Sequence, residues 1–184
     1  EASAGKPVRV KWINELKDQA GEGKGNFLPH LLPVDQTLHW ANPPGGSSMR
    51  DMRPMFMTTP GPYTGPVPIV THLHGAHVAD ISDGYAEEWF LPAASNIPAG
   101  YATTGTWYDF FKPLGETAYG QTWTPGSVVF QYSNDQQATT LWYHDHTLGM
   151  TRLNVYAGPA GFWLIRGGAF GDAGVLDATT GLPA

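Results

Sequence analysis

Two short runs, "SVVFQY" (residues 127–132) and "TTLWYH" (residues 139–144), are rich in β-branched and aromatic residues and flank the polar stretch "SNDQQA". Runs of this kind read as strands, and the polar stretch as a turn, so the spacing predicts a hairpin. "VRVKWI" (residues 8–13) alternates apolar and polar residues, the pattern of a half-buried strand. Residues 67–74 are strand-like by their β-branched content, and "GFWLIR" (residues 161–166) reads as a closing strand. Between these runs the chain is punctuated by 23 glycines and 16 prolines in 184 residues, well above ordinary use. Short strands with frequent turn signals predict an all-β fold, a Greek-key sandwich with long Gly/Pro-rich loops.

The connecting segments follow the same reading. "KDQAGEGKGN" is a polar, glycine-rich loop, and residues 31–40 ("LLPVDQTLHW") are extended. Residues 42–68 are dense in Pro, Gly, Ser and Met without periodicity and read as a long surface excursion. Residues 84–126 read as mostly loop with one strand near 106–111, and residues 147–156 as a short helical turn. The length suits one domain, here residues 1–170, with a Gly/Ala-rich linker or tail over 171–184.

Several functions are set aside by composition. The net charge is −6 and no basic stripe is present, which argues against nucleic-acid binding. No apolar run approaches the ~20 residues of a membrane span. The chain has no cysteine, so it contains no disulfide, cysteine nucleophile, zinc–thiolate site or copper–thiolate centre of its own. It starts at Glu1 without a signal-like apolar segment, and reads as a processed, trimmed or partial chain.

The chemistry is concentrated in two His-x-His pairs, His72/His74 and His144/His146. On a strand, residues i and i+2 share a face, with Cα atoms ~6.6 Å apart at ~3.3 Å per residue. Two such imidazoles share one metal only with distortion and more readily serve two metals lying close together. If the two strands are adjacent, four nitrogens face one multinuclear site, and neutral imidazole suits copper, zinc, iron or nickel. His30, His39 and His77 fall outside this pattern and read as ordinary loop histidines or as neighbours that support the ligands.

The blocks "HLHG", "SDGYAEEWF" and "LWYHDHTLGMTRLNVYAGPAGFWLI" resemble the first domain of the multicopper oxidases, in the branch of bacterial spore-coat laccases, bilirubin oxidases and phenoxazinone synthases. "LLPVDQTLHW" is similar to a segment of the same branch. The resemblance implies a cupredoxin-like sandwich, begun here after the family's first strands. It also implies a trinuclear cluster of one type 2 and two type 3 coppers, shared with residues outside this chain. By motif position, His72 resembles the type 2 ligand, His74 and His144 ligands of one type 3 copper, and His146 a ligand of the other. Asp83, which the residues alone allow equally to be a turn residue in "SDG", matches in the resemblance an acidic residue that assists proton delivery during reduction of O2. The implied partners are O2, a complementary Cys/His-containing domain or chain carrying type 1 copper, and a reducing substrate of the phenolic kind. A periplasmic, secreted or spore-coat location is implied in the same way.

Met49, Met52, Met55 and Met57 lie close together. Thioethers suit Cu(I), but Arg50, Arg53 and Pro54 interrupt the run, and gap-filling beneath a Pro-rich loop is the preferred reading. Two other functions use the same histidines: a non-enzymatic copper storage or delivery module, and a redox-silent zinc protein.

Overall fold

The computed structural model describes residues 1–41, 47–54, 58 and 60–168 of the protein. In chain order the elements are β1 (Ala2–Ser3), β2 (Val8–Ile13), β3 (Thr71–His74), a 3₁₀ turn (Asp80–Ser82), α1 (Thr106–Tyr119), β4 (Ser127–Tyr132), β5 (Thr139–Asp145), α2 (Thr151–Ala157) and β6 (Ala160–Arg166). The strands form two sheets, a four-stranded one ordered β1-β6-β5-β3 and a two-stranded one of β2 and β4. The architecture is all-β and cupredoxin-like, with long loops carrying the two helices. Met55, Met57 and the proposed 171–184 linker lie outside the described residues.

The strands predicted at both ends of the chain are present, but the predicted hairpin is not. β4 pairs with β2 over the full register Val8↔Tyr132 to Ile13↔Ser127. β5 pairs instead with β3 and β6. Residues 133–138 therefore carry the chain from one sheet to the other. The reason lies in burial: Val128, Val129 and Phe130 are all but inaccessible, and Leu141 and Tyr143 of β5 pack against the core cluster to which they belong. β5 faces β4 across the core, where its apolar side chains are covered, rather than lying beside it.

The strand expected near residues 106–111 is a 14-residue helix. Its buried residues Tyr108, Phe111, Gly115 and Tyr119 fall on one face at helical spacing. Asp51 tethers its start, with Oδ2 accepting the Thr106 N–H at 2.7 Å and Oδ1 the Trp89 indole at 2.5 Å. Gly120, in the left-handed conformation, ends it. Pro113 lies inside the helix at a cost of ~3 kcal/mol, offset by burial of the aromatic face.

The main core gathers Val70, Leu73, Trp89, Phe90, Trp123 and Phe130. A second cluster joins Trp40, Tyr63, Val67 and Met150. The segment read as a surface excursion thus ends in buried residues, because its aromatic and β-branched side chains fill a gap under the turn that follows β5. Residues 31–40 form no strand; bends and a single turn at 36–37 carry Trp40 into that cluster.

Candidate metal centre

β3 is short, but its alternation does what the spacing required. Leu73 points into the core with 2% exposure, and His72 and His74 project from the other face. β5 lies antiparallel beside β3 with His144 directly opposite His72. His146 follows just after the strand. The ring centroids of His72 lie 5.7 Å from His74, 5.6 Å from His144 and 5.0 Å from His146. Those of His144 lie 5.5 Å from His74 and 5.9 Å from His146. The four histidines singled out by sequence thus form one cluster.

The ring nitrogens are arranged as well as the rings. His72 Nδ1 donates to the Asp83 carbonyl at 2.6 Å and His144 Nδ1 to the Asp145 carbonyl at 2.7 Å. Both bonds place the proton on Nδ1 and put the lone pair on Nε2. His144 Nε2 faces His74 Nδ1 at 3.3 Å. His146 Nδ1 is buried and has no hydrogen-bond partner among the described residues. One ligand atom each from His72, His74 and His144 lies within 4.8 Å of the others. Burial above all pushes the His144 and His146 imidazoles below their ordinary range, and the neighbouring imidazoles push the same way. Both are held neutral at pH 7, the form that binds a metal. A converging set of imidazole nitrogens with an orphaned buried one fits a copper ion chemically.

Asp83 follows the 3₁₀ turn, and its carboxylate Oδ1 stands 3.5 Å from His72 Nδ1. The approach depends on Gly84. At φ +74° a Cβ there would run into the Thr71 carbonyl and sit 3.3 Å from the His72 Cα, so only glycine lets the loop lie this close to β3.

Two neighbours escaped the sequence reading. Trp142 packs on His144 with centroids 4.2 Å apart and on His74 at 5.5 Å; its position two residues before His144 was the available signal. Asp145, between the two histidines, is buried and fully hydrogen-bonded. The remaining histidines stay apart from the cluster. His39 Nε2 meets the Asp51 carbonyl at 2.6 Å, His77 lies 3.3 Å from exposed Asp135, and His30 bonds Asn154 at 3.0 Å. An open cavity of about 740 Å³ reaches His74, His144 and His146, with Leu32, Pro33, Trp142, Arg152 and Tyr156 among its walls. Met49 and Met52 do not line it.

A family model for multicopper oxidases matches residues 117–169, the segment from the end of α1 through β4, β5, α2 and β6. The chain is 35% identical over 166 residues, 90% of its length, to a laccase of Bacillus stratosphericus. It is 32% identical over the same share to a laccase of Bacillus subtilis strain 168. The chain belongs to the multicopper oxidase family. A laccase of Haloferax volcanii is 31% identical over 186 aligned residues, spanning all of this chain. The chain covers 22%, 22% and 24% of these three relatives, less than a quarter of each. Membership of the multicopper oxidase family implies copper as the metal, in keeping with the donor set.

Proposed function

We propose that this domain supplies four imidazoles, His72, His74, His144 and His146, to the trinuclear copper cluster of a laccase-like oxidase. The observation that carries the reading is the gathering of those four rings on β3, β5 and the residue that follows β5, with one nitrogen each of His72, His74 and His144 within 4.8 Å of the others. When bound, copper would supply the electron transfers that reduce O2 to water. His72 and His144, their Nδ1 protons held by main-chain carbonyls, offer Nε2; His74 offers Nδ1. Asp83 stands beside His72 with a partly exposed carboxylate, where it can take a proton from solvent and pass it toward the cluster. Trp142 screens His74 and His144 from one side. Leu31, Tyr156 and Phe162 are 84%, 81% and 79% exposed, and Leu32, Pro33 and Tyr156 wall the cavity. This apolar surface supports docking of a complementary domain that carries the other ligands and a type 1 copper, where a phenolic donor gives up electrons.

The test uses the complete oxidase and the isolated chain together. His146→Ala in the complete enzyme is expected to abolish oxygen uptake while the type 1 copper is still reduced by a phenolic donor. The isolated chain is expected to bind copper without sustained oxygen uptake, since it has four histidine ligands and no thiolate. Oxygen uptake at the parent rate by the fully copper-loaded His146→Ala enzyme, or by the chain alone, would overturn the reading.

A further inference from the structure

Asp145 stands between two of the proposed ligands but belongs to the opposite face of β5, and only 3% of it is exposed. A buried carboxylate is costly unless its lone pairs are filled. Here they are: Oδ1 accepts the Val70 N–H at 3.0 Å and the Thr147 hydroxyl at 2.8 Å, and Oδ2 accepts the Thr147 N–H and the Asn154 amide, each at 3.0 Å. The donors come from three places: the lead-in to β3, the turn after β5, and α2.

The bond to Val70 has a particular geometry. The β3–β5 register ends at Thr71↔Asp145, so Val70 and His146 would form the next pair. One half of that pair exists, with the His146 N–H donating to the Val70 carbonyl at 2.9 Å. The return bond from the Val70 N–H goes to the Asp145 side chain instead of the His146 carbonyl. The carboxylate therefore extends the ladder by one step at the point where the main chain turns away to present His146. A slip of either strand breaks this contact.

A second arm runs outward. The Asn154 amide nitrogen also donates to the Pro68 carbonyl at 3.0 Å, which fixes its Oδ1 as the acceptor for His30 Nε2 at 3.0 Å. His30 Nδ1 accepts the Leu32 N–H at 2.9 Å, so the ring proton sits on Nε2. Leu32 and Pro33 form part of the cavity wall beside the histidines. One chain of hydrogen bonds thus leads from the rim of the cavity, through α2, to the residue between the ligands.

We propose that Asp145 is a positioning residue. Through Val70, Thr147 and Asn154 it holds His144 and His146 in register with His72 and His74, and through His30 it couples that register to the loop walling the cavity. The inference rests on the reading of the four histidines as copper ligands.

The experiment loads the purified 184-residue chain with Cu(II) at sub-stoichiometric ratio. It records the electron paramagnetic resonance spectrum, and the affinity against a competing chelator. Asp145→Asn preserves shape but turns one acceptor oxygen into a donor. It is expected to weaken copper binding about tenfold or more and to change the copper hyperfine pattern. Val129→Ala, a core truncation outside the network, serves as a reference for lost stability and is expected to leave the spectrum at its parent form. Asp145→Asn with the parent affinity and spectrum overturns the proposal, provided that His144→Ala loses both. If His144→Ala keeps both, the copper reading itself fails. Should Asp145→Asn not fold, Asn154→Leu and Thr147→Val decide: weaker binding and an altered spectrum support the proposal, and parent values in both variants overturn it.

Discussion

The main-chain oxygen of Asp83 accepts the Nδ1 proton of His72 at 2.6 Å. A carbonyl can only accept, so this contact selects the tautomer of His72 and aims its Nε2 lone pair into the cluster. The bond belongs to the backbone at position 83, so a change of that side chain leaves it in place, whereas a change in the path of the loop removes it.

Gly84→Ala is accordingly expected to do more harm than its size suggests. The added Cβ meets the Thr71 carbonyl at a backbone conformation of φ +74°. The conformation alone costs ~1–2 kcal/mol, and relief of the collision pulls the Asp83 carbonyl away from His72. Thermal unfolding of the metal-free chain should show a loss of ~2 kcal/mol or more, accompanied by weaker copper binding. Parent stability would contradict the close approach.

Asp83→Asn separates the two roles of that residue. The backbone bond to His72 stays, so copper content should stay too. If the carboxylate relays protons, turnover of the complete enzyme should fall most at higher pH, where protons are scarce. A pH–rate profile superimposable on the parent's would leave Asp83 as the residue that orients His72 and nothing more.

Glu88 gives a stability prediction with a definite sign. It is 0% exposed, Oε2 accepts the Tyr85 N–H at 3.2 Å, and buried Oε1 has no partner among the described residues. Burial pushes its carboxyl well above the ordinary range, with the Asp83 charge adding to the effect. The folded state therefore holds this proton more tightly than the unfolded state. The resulting stability is complete below the unfolded value of ~4.3 and is lost as pH rises through the folded value. Glu88→Gln, which has no charge to bury, should gain on the parent as pH increases. Urea unfolding at pH 5 and pH 8 checks this; a stability difference that stays constant or shrinks toward pH 8 would contradict it.

The methionines are expected to be dispensable for the cluster. Met49 and Met52 stand on the turn at residues 47–52 and do not wall the histidine cavity. Replacing Met49, Met52, Met55 and Met57 together by Leu should leave copper content unchanged in the complete enzyme, as read by metal analysis. Copper lost from the cluster would give the thioethers a ligand role instead.

The histidine face was legible in the sequence because period two is a local property: His72, Leu73 and His74 need only be on a strand for their directions to follow. Which strands become neighbours was not local. The stretch after Tyr132 looks like a hairpin turn, yet it crosses between sheets, and Leu141 and Tyr143 pack against the core that holds Val128, Val129 and Phe130. α1 was masked by its own composition. Trp107, Tyr108, Phe110 and Phe111 favour strands, and Pro113 and Gly115 discourage helices. The spacing of Tyr108, Phe111, Gly115 and Tyr119 carried the opposite message, and burial of that face against Trp123 prevailed. The role of Asp145 was hidden for another reason: its partner Val70 is 75 residues away, a distance over which no motif speaks.

The stacking of Trp142 on His144 at 4.2 Å gives the cluster an optical voice. Trp89 and Trp123 are wholly buried, while Trp142 is 39% exposed and so emits at longer wavelength than they do. A paramagnetic ion seated on His74 and His144 would lie within contact range of this indole and quench it first. Trp107, 40% exposed, shares the red edge of the emission spectrum, so it is the metal-dependent part of that edge that should report metal arrival at His74 and His144, without any added label, and Trp142→Phe should remove that metal-dependent change while leaving the core emission in place.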